Sequence, residues 1–236
     1  MITDLHSHIL PGIDDGSASV EESLEMLGML WHQGIRSVVA TPHFYGNHDQ
    51  PERFLRRREA AMEKLTAAVS GCTEIPRIHL GAEVYYFQGM SDSDSLRDLT
   101  IGGSSYLLVE MPMGKWNDRM YKELVQIREK LDLIPVIAHV DRYLSPLATH
   151  GIPKKLEELP VLVQANAGFF LRGSTKGMSV RMLKKQQIHL LGSDCHNTTT
   201  RPPRIGQAVE RIRKELGQEA LEMIRGYQTQ ILGECL

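Results

Sequence analysis

The sequence has 236 residues, 42% of them hydrophobic, with 27 basic against 29 acidic side chains and a net charge of −2. That is enough chain for one large domain or two small ones, with no electrostatic case for a nucleic-acid or membrane-surface partner and no apolar run near the roughly 20 residues that span a bilayer. The start, Met1-Ile2-Thr3-Asp4-Leu5-His6, lacks the basic stretch and apolar core of a signal peptide, and Cys72, Cys195 and Cys235 are odd in number and scattered, so the expectation is a soluble cytoplasmic protein without disulfides or membrane insertion.

Short β-like runs alternate with helix-like stretches from end to end. Residues 1–5 read as a strand. Residues 19–33 read as a helix: Ser19 and Glu22 form a capping box, Val20, Leu24, Leu27 and Trp31 share a face, and Gly34 ends it. An apolar strand at 35–40 precedes a helix at 51–69, with Pro51 suited to its first turn. Strands follow at 77–84 and 106–109, separated by an irregular insertion over 89–103. Residues 117–131 form an amphipathic helix capped by Asn117. Three further strands, 134–138, 161–165 and 188–191, enclose helices at 154–159 and 179–187, and two more helices begin near residues 203 and 218. Seven strands alternating with helices predict a parallel sheet with right-handed crossovers. Closed, it is a seven-stranded relative of the (β/α) barrel; open, it is a doubly wound sheet.

The informative feature is where the histidines and acids fall. His6 and His8 end the first strand, His43 the second, Glu83 the third, Glu110 the fourth, His139 the fifth, and Asp194 with His196 the seventh. In parallel α/β folds the carboxyl ends of the strands form the active face. These side chains therefore converge on one mouth, within reach of Asp15 on the first loop. Residues two apart on a strand point the same way, so His6 and His8 can aim at one ion, as can Asp194 and His196. One such histidine is usually a satisfied polar residue, and one such acid usually caps a helix. That bland reading suits His32, His48, His79, His150 and His189, but not the convergent set. Nine ligands exceed what one ion coordinates. They predict two or three divalent ions, manganese first, with iron or zinc next for imidazole and carboxylate donors.

Asp4-Leu5-His6-Ser7-His8 resembles the opening motif of the polymerase-and-histidinol-phosphatase (PHP) family, and Thr41-Pro42-His43, Gly81-Ala82-Glu83, Glu110, Ala138-His139 and Ser193-Asp194-Cys195-His196 match its later motifs in order. More narrowly, the run from His8 to Gly16, His139-Val140-Asp141-Arg142-Tyr143 and Arg201-Pro202-Pro203 resemble the metal-dependent tyrosine phosphatases of bacterial capsule and exopolysaccharide loci. The resemblance implies a distorted seven-stranded barrel of PHP type in a single domain over 1–236, with a trinuclear site. His6, His8, Glu83 and Asp194 would hold one ion, Glu83, Glu110 and His139 a second, and Asp15, His43 and His196 the third. Arg142 and Arg201 would grip the phosphate. The implied activity is hydrolysis of phosphotyrosine on a protein by metal-activated hydroxide. The implied partner is an autophosphorylating bacterial tyrosine kinase that regulates polysaccharide synthesis or export.

Rival readings remain at this level. Cys195 and Arg201 are separated by five residues, as in cysteine-dependent tyrosine phosphatases, but the intervening His-Asn-Thr-Thr-Thr has no glycine for a phosphate cradle. A histidinol-phosphate phosphatase would use the same core site. A non-catalytic metal-binding module would keep the fold but not the activity. A polymerase-associated nuclease would want a basic groove, and Arg56-Arg57-Arg58 is expected to be only a solvated helix face.

Overall fold

The computed structural model describes residues 1–144 and 151–233; His150 and Cys235 lie outside them. The chain runs β1 (Asp4–Ser7), α1 (Val20–His32), β2 (Ser37–Ala40), β3 (His43–Tyr45), α2 (Pro51–Val69), β4 (Arg77–Leu80) and β5 (Glu83–Tyr85). Three short 3-10 turns between Met90 and Gly103 occupy the expected insertion. Then come β6 (Tyr106–Glu110), α3 (Asp118–Leu131), β7 (Ile134–Ile137), a 3-10 turn at Val140–Tyr143, α4 (Ile152–Glu157) and β8 (Leu162–Asn166). The last elements are α5 (Ala167–Leu171), α6 (Lys176–Lys184), β9 (Leu190–Gly192) and α7 (Ile205–Leu232).

Local chemistry explains most boundaries. Ser19 caps α1 by accepting from the Glu22 N–H at 3.3 Å, while the Glu22 carboxylate accepts from the Ala18 N–H at 2.9 Å. Asn117 accepts from the Met120 N–H at 3.1 Å and starts α3. The two expected C-terminal helices form one run, α7, broken at Gly217, where φ is 79° and ψ −172°.

Among the described residues the seven expected strands become nine segments. The run 77–84 breaks at Gly81-Ala82 into β4 and β5. The second strand stops before Thr41-Pro42 and resumes as β3. Pro42 has no N–H to give a ladder, so pairing must shift there. All pairings are parallel, and they fall into a sheet β1-β2-β4 and a sheet β3-β5-β6-β7-β8-β9 rather than one unbroken seven-stranded ladder. Hydrogen bonds between the end of β1 and the segment after β9 join the two sheets: His8 N donates to Cys195 O at 2.9 Å, and Asp194 N to His6 O at 2.8 Å.

Apart from β3 and β4, the strands are buried on both faces, as parallel strands are when helices cover them. One face sends Val38, Leu107, Val109, Ile137 and Leu191 into the larger core with α1 to α7. The alternate residues Leu5, Val39, Leu108, Val136 and Leu190 meet in a second cluster with Ile101 and Ile231. Strands from both sheets thus share one interior, and period-two alternation decides which core each side chain joins. The β1 strand is tied to α7 by Gln228, which accepts from Thr3 N at 3.0 Å and donates to Thr3 O at 2.8 Å. No helix among the described residues is long and apolar enough to cross a membrane.

Candidate metal centre

The breaks in the second and third strands bring β3 and β5 to the site. They pair His43 directly with Glu83 in register. His6 lies within β1 and His8 just past it, and their Nε2 atoms approach to 3.2 Å. Both rings face the buried Glu83 Oε2, at 3.1 Å from His6 and 3.2 Å from His8, and His43 Nδ1 reaches the same oxygen at 3.1 Å. Asp194 Oδ1 lies 3.7 Å from His6 Nε2 and 3.6 Å from His8 Nε2. His139 Nε2 sits 2.8 Å from Glu83 Oε1 and 3.4 Å from Glu110 Oε1. Asp15 Oδ1 lies between His43 Nε2 at 3.4 Å and His196 Nε2 at 3.5 Å.

These distances suit cations at the centre of the donors. Ligand atoms about 2.1 Å from an ion stand about 3.0–3.4 Å apart in octahedral or tetrahedral geometry. Glu83 Oε2, His43 Nδ1 and His196 Nε2 are buried with no hydrogen-bond partner, a state that costs free energy unless a cation satisfies them. Among the described residues, three groups have donor atoms mutually within 4.8 Å: His8, Asp15, His43 and His196; His6, His8 and Asp194; and His43, Glu83 and Glu110. The residues present therefore fit a polynuclear divalent site. This grouping differs in detail from the one the family resemblance implies, because His8 and His43 each face two groups. His139 stands beside Glu83 and Glu110 rather than inside a group.

Two of the strand-end residues adopt left-handed backbone, His139 with φ 31° and Asp194 with φ 53°. Such strain in residues other than glycine is typical of sites where orientation matters more than local stability. Gly192 permits this packing: a Cβ there would fall 2.5 Å from His6 Cβ and 2.8 Å from Gln164 Nε2.

The charges are strongly coupled. Burial alone would lower the His8 pKa, but hydrogen bonds and charge from Asp14 and Glu83 win and raise it to about 10. Burial likewise opposes protonation of His139, and Glu110 and Glu83 raise it to about 9. His196 is pushed down to about 4, by burial first and by the neighbouring His8 charge second. Burial would raise the Asp194 pKa, but His6 and Arg142 hold it well below the usual carboxylate range.

Both candidate arginines reach this cluster, and both close on Asp194. Arg142 Nη2 donates to Asp194 Oδ2, and its Nη1 lies 3.5 Å from Glu110 Oε1. Arg201 Nη2 donates to Asp194 Oδ1 at 2.7 Å. The side chains are 32% and 38% exposed, so each guanidinium remains open to an incoming anion.

Three positioning residues escape the sequence reading. Asp14 accepts from His8 Nδ1 at 2.8 Å and from the N–H groups of His43 and Gly16, each at 3.0 Å. This leaves His8 Nε2 free to face the donors, the usual job of a carboxylate behind a metal-binding imidazole. Gln164 and Asn166 supply the sixth strand, where no site residue is expected. Gln164 Oε1 accepts from His139 N at 2.6 Å and faces His6 Nδ1 at 3.3 Å. Asn166 Nδ2 donates to Asp194 Oδ2 at 2.8 Å and its side-chain oxygen accepts from Gln164 Nε2 at 3.0 Å. The signal is two amides spaced by two in an otherwise apolar strand.

Other residues take structural roles. Cys195 is 1% exposed within the larger core, and burial pushes its thiol far above the usual range, so no thiolate is available as a nucleophile. His189 Nδ1 accepts from Val163 N at 3.0 Å. The Arg56-Arg57-Arg58 run is not simply a solvated face. Arg58 is buried and donates to the carbonyls of Gly81 at 3.0 Å and Asp98 at 3.2 Å, fastening the break before Glu83.

Fold and site together define an α/β protein whose strand ends gather imidazoles and carboxylates into clusters that could hold metal, beside two arginines. The chain belongs to the CpsB/CapC family of capsular polysaccharide synthesis, whose model matches residues 2–232. It is 31% identical over 229 residues to the tyrosine-protein phosphatase CpsB of Streptococcus pneumoniae, covering 91% of this chain and 90% of that protein. It is 30% identical over 231 residues to the tyrosine-protein phosphatase YwqE of Bacillus subtilis (strain 168), covering 94% and 87% respectively. Its fold matches, with a TM-score of 0.84 and 24% identity over 98% of this chain and 94% of the other, a chain among the crystal structures of YwqE from Bacillus subtilis and CpsB from Streptococcus pneumoniae, unique metal-dependent tyrosine phosphatases.

Proposed function

We propose that the protein hydrolyses phosphotyrosine on a protein substrate, with His6, His8, Asp15, His43, Glu83, Glu110, His139, Asp194 and His196 holding two or three divalent ions, manganese foremost. The observation that carries this reading is the gathering of these nine side chains in one cluster, with Arg142 and Arg201 closing on its Asp194. Curated relatives about 30% identical over most of the chain are tyrosine-protein phosphatases. The implied substrate is an autophosphorylating tyrosine kinase in the cytoplasm that governs polysaccharide synthesis or export. We read the two sheets as a distorted barrel whose mouth is this centre.

When bound, the ions would supply a nucleophile at neutral pH and offset phosphoryl charge. The chain itself positions and stabilises. Arg142 and Arg201 exchange part of their contact with Asp194 for the phosphoryl oxygens, giving charge-assisted bonds that strengthen as charge moves toward the leaving group. Asp14, Gln164 and Asn166 hold His8, His6, His139 and Asp194 in orientation, so little reorganisation is needed during reaction. A tyrosine leaving group has a pKa near 10 and needs only modest protonation.

The deciding experiment compares kcat/KM on phosphotyrosine peptides and on histidinol phosphate, with bound metal measured in the same preparation. Strong preference for the peptides is expected. Preference for histidinol phosphate reassigns the substrate, and metal binding without hydrolysis of any aryl phosphate reassigns the protein as a binding module.

A further inference from the structure

Beside the metal centre lies a cavity of about 490 Å³ whose lining includes Arg142, Arg201, Asp194 and Asn166. Arg172 and Arg204 line the same cavity. A space of this size is in the range that takes a ligand of many atoms, at about 300–1,000 Å³, and is more than one phosphoryl group fills. Four arginines line it against two acidic residues, Asp141 and Asp194. Those carboxylates are already engaged. Asp194 is bracketed by Arg142 and Arg201, and Asp141 accepts from the Asn166 N–H at 3.0 Å.

Arg172 and Arg204 have no such engagement. Both are exposed, and among the described residues neither takes part in an ion pair. Arg172 follows α5, with its guanidinium 3.9 Å from where a Cβ on Gly168 would stand, and Arg204 precedes α7. The chain as a whole carries a net charge of −2, so a cavity with this excess of cations runs against the average surface. Two arginines suffice for one phosphate; two more in the same cavity, in no ion pair among the described residues, can receive a second anion.

We propose that Arg172 and Arg204 form a second anion subsite that binds a carboxylate or phosphate on residues flanking the phosphotyrosine, making an acidic phosphopeptide the preferred substrate. The inference rests on the phosphotyrosine reading above and specifies which phosphotyrosines are chosen. Guanidiniums suit this task because their planar fork binds either oxyanion in bidentate fashion. At an exposed rim they act chiefly on encounter and orientation, so their contribution falls as salt screens them.

The test uses the metal-loaded protein, its R172A/R204A variant and the neutral but larger R172Q/R204Q variant. Substrates are p-nitrophenyl phosphate and three phosphotyrosine peptides of equal length, with neutral flanks, with Asp and Glu flanks, or with a second phosphotyrosine. The parent is expected to favour at least one anionic peptide over the neutral one, and both variants to lose that preference. The loss in kcat/KM should be about three- to twentyfold, equivalent to two exposed ion pairs. It should shrink in high salt, and p-nitrophenyl phosphate turnover should be unchanged. Which peptide responds names the second anion as carboxylate or phosphate. Equal use of all three peptides by the parent overturns the proposal, as does a preference that survives in either double variant. Hydrolysis of p-nitrophenyl phosphate but of no peptide instead overturns the phosphotyrosine reading itself, and the subsite with it.

Discussion

Asp14 gives the sharpest test of how the centre is built, because it contacts candidate ligands without being one. Its side chain is 7% exposed and accepts three hydrogen bonds, from His8 Nδ1 at 2.8 Å, His43 N at 3.0 Å and Gly16 N at 3.0 Å. Two candidate ligands are therefore oriented by one carboxylate. Removing such an outer partner typically costs 10- to 100-fold in metal affinity, about 1.4–2.7 kcal/mol. Asp14→Asn keeps an acceptor oxygen but loses the charge behind His8, so it should sit near the lower figure. Asp14→Ala loses all three bonds and should approach the upper one. Competition between the protein and a chromophoric chelator for zinc or manganese measures this directly. Activity of Asp14→Asn at saturating metal should recover to within severalfold of the parent, because the nine proposed ligands are intact. An Asp14→Asn affinity within twofold of the parent would show that His8 needs no orienting carboxylate.

Other outcomes follow from the same geometry. Arg142→Ala and Arg201→Ala should each lower kcat by about 10²-fold, the scale of losing one preorganised donor to transition-state charge, with metal content unchanged; near-normal turnover in both would place the phosphate elsewhere. Cys195→Ser should retain most activity while a chelator abolishes it, since the thiol is buried and held protonated; an inert serine variant together with an active metal-stripped enzyme would reverse the mechanism. In metal-free protein, His8 and His139 have folded pKa values of about 10 and about 9 against 6.5 for a free histidine. A pKa raised by folding contributes stability in full below the unfolded value and loses it as pH rises through the folded one. The Tm of chelator-treated protein should therefore fall between pH 6.5 and about 10, and a rising Tm over that window would refute the assignment.

What the sequence by itself determined is the alternation of elements and the list of residues at the strand ends. The apolar runs at 106–109 and 134–138, the cap at Asn117 and Pro51 at the start of α2 are local signals, and local physics fixes them. The helix break at Gly217 is equally local, because the residue adopts a positive φ. The eight strand-end residues were legible because parallel strands place successive carboxyl ends on one face, within reach of Asp15 on the first loop. Only the tertiary structure decided that two strands break, at Thr41-Pro42 and Gly81-Ala82, and that their continuations enter the second sheet. Those breaks bring His43 opposite Glu83, a pairing that depends on inter-strand register and not on either segment alone. Asp14, Gln164 and Asn166 were hidden for a related reason. An acid beside Asp15 and two amides on a buried strand have ordinary structural explanations until the rings they orient are in place. The same holds for Arg58, whose partners, the carbonyls of Gly81 and Asp98, lie 23 and 40 residues away along the chain, a separation that no local pattern encodes.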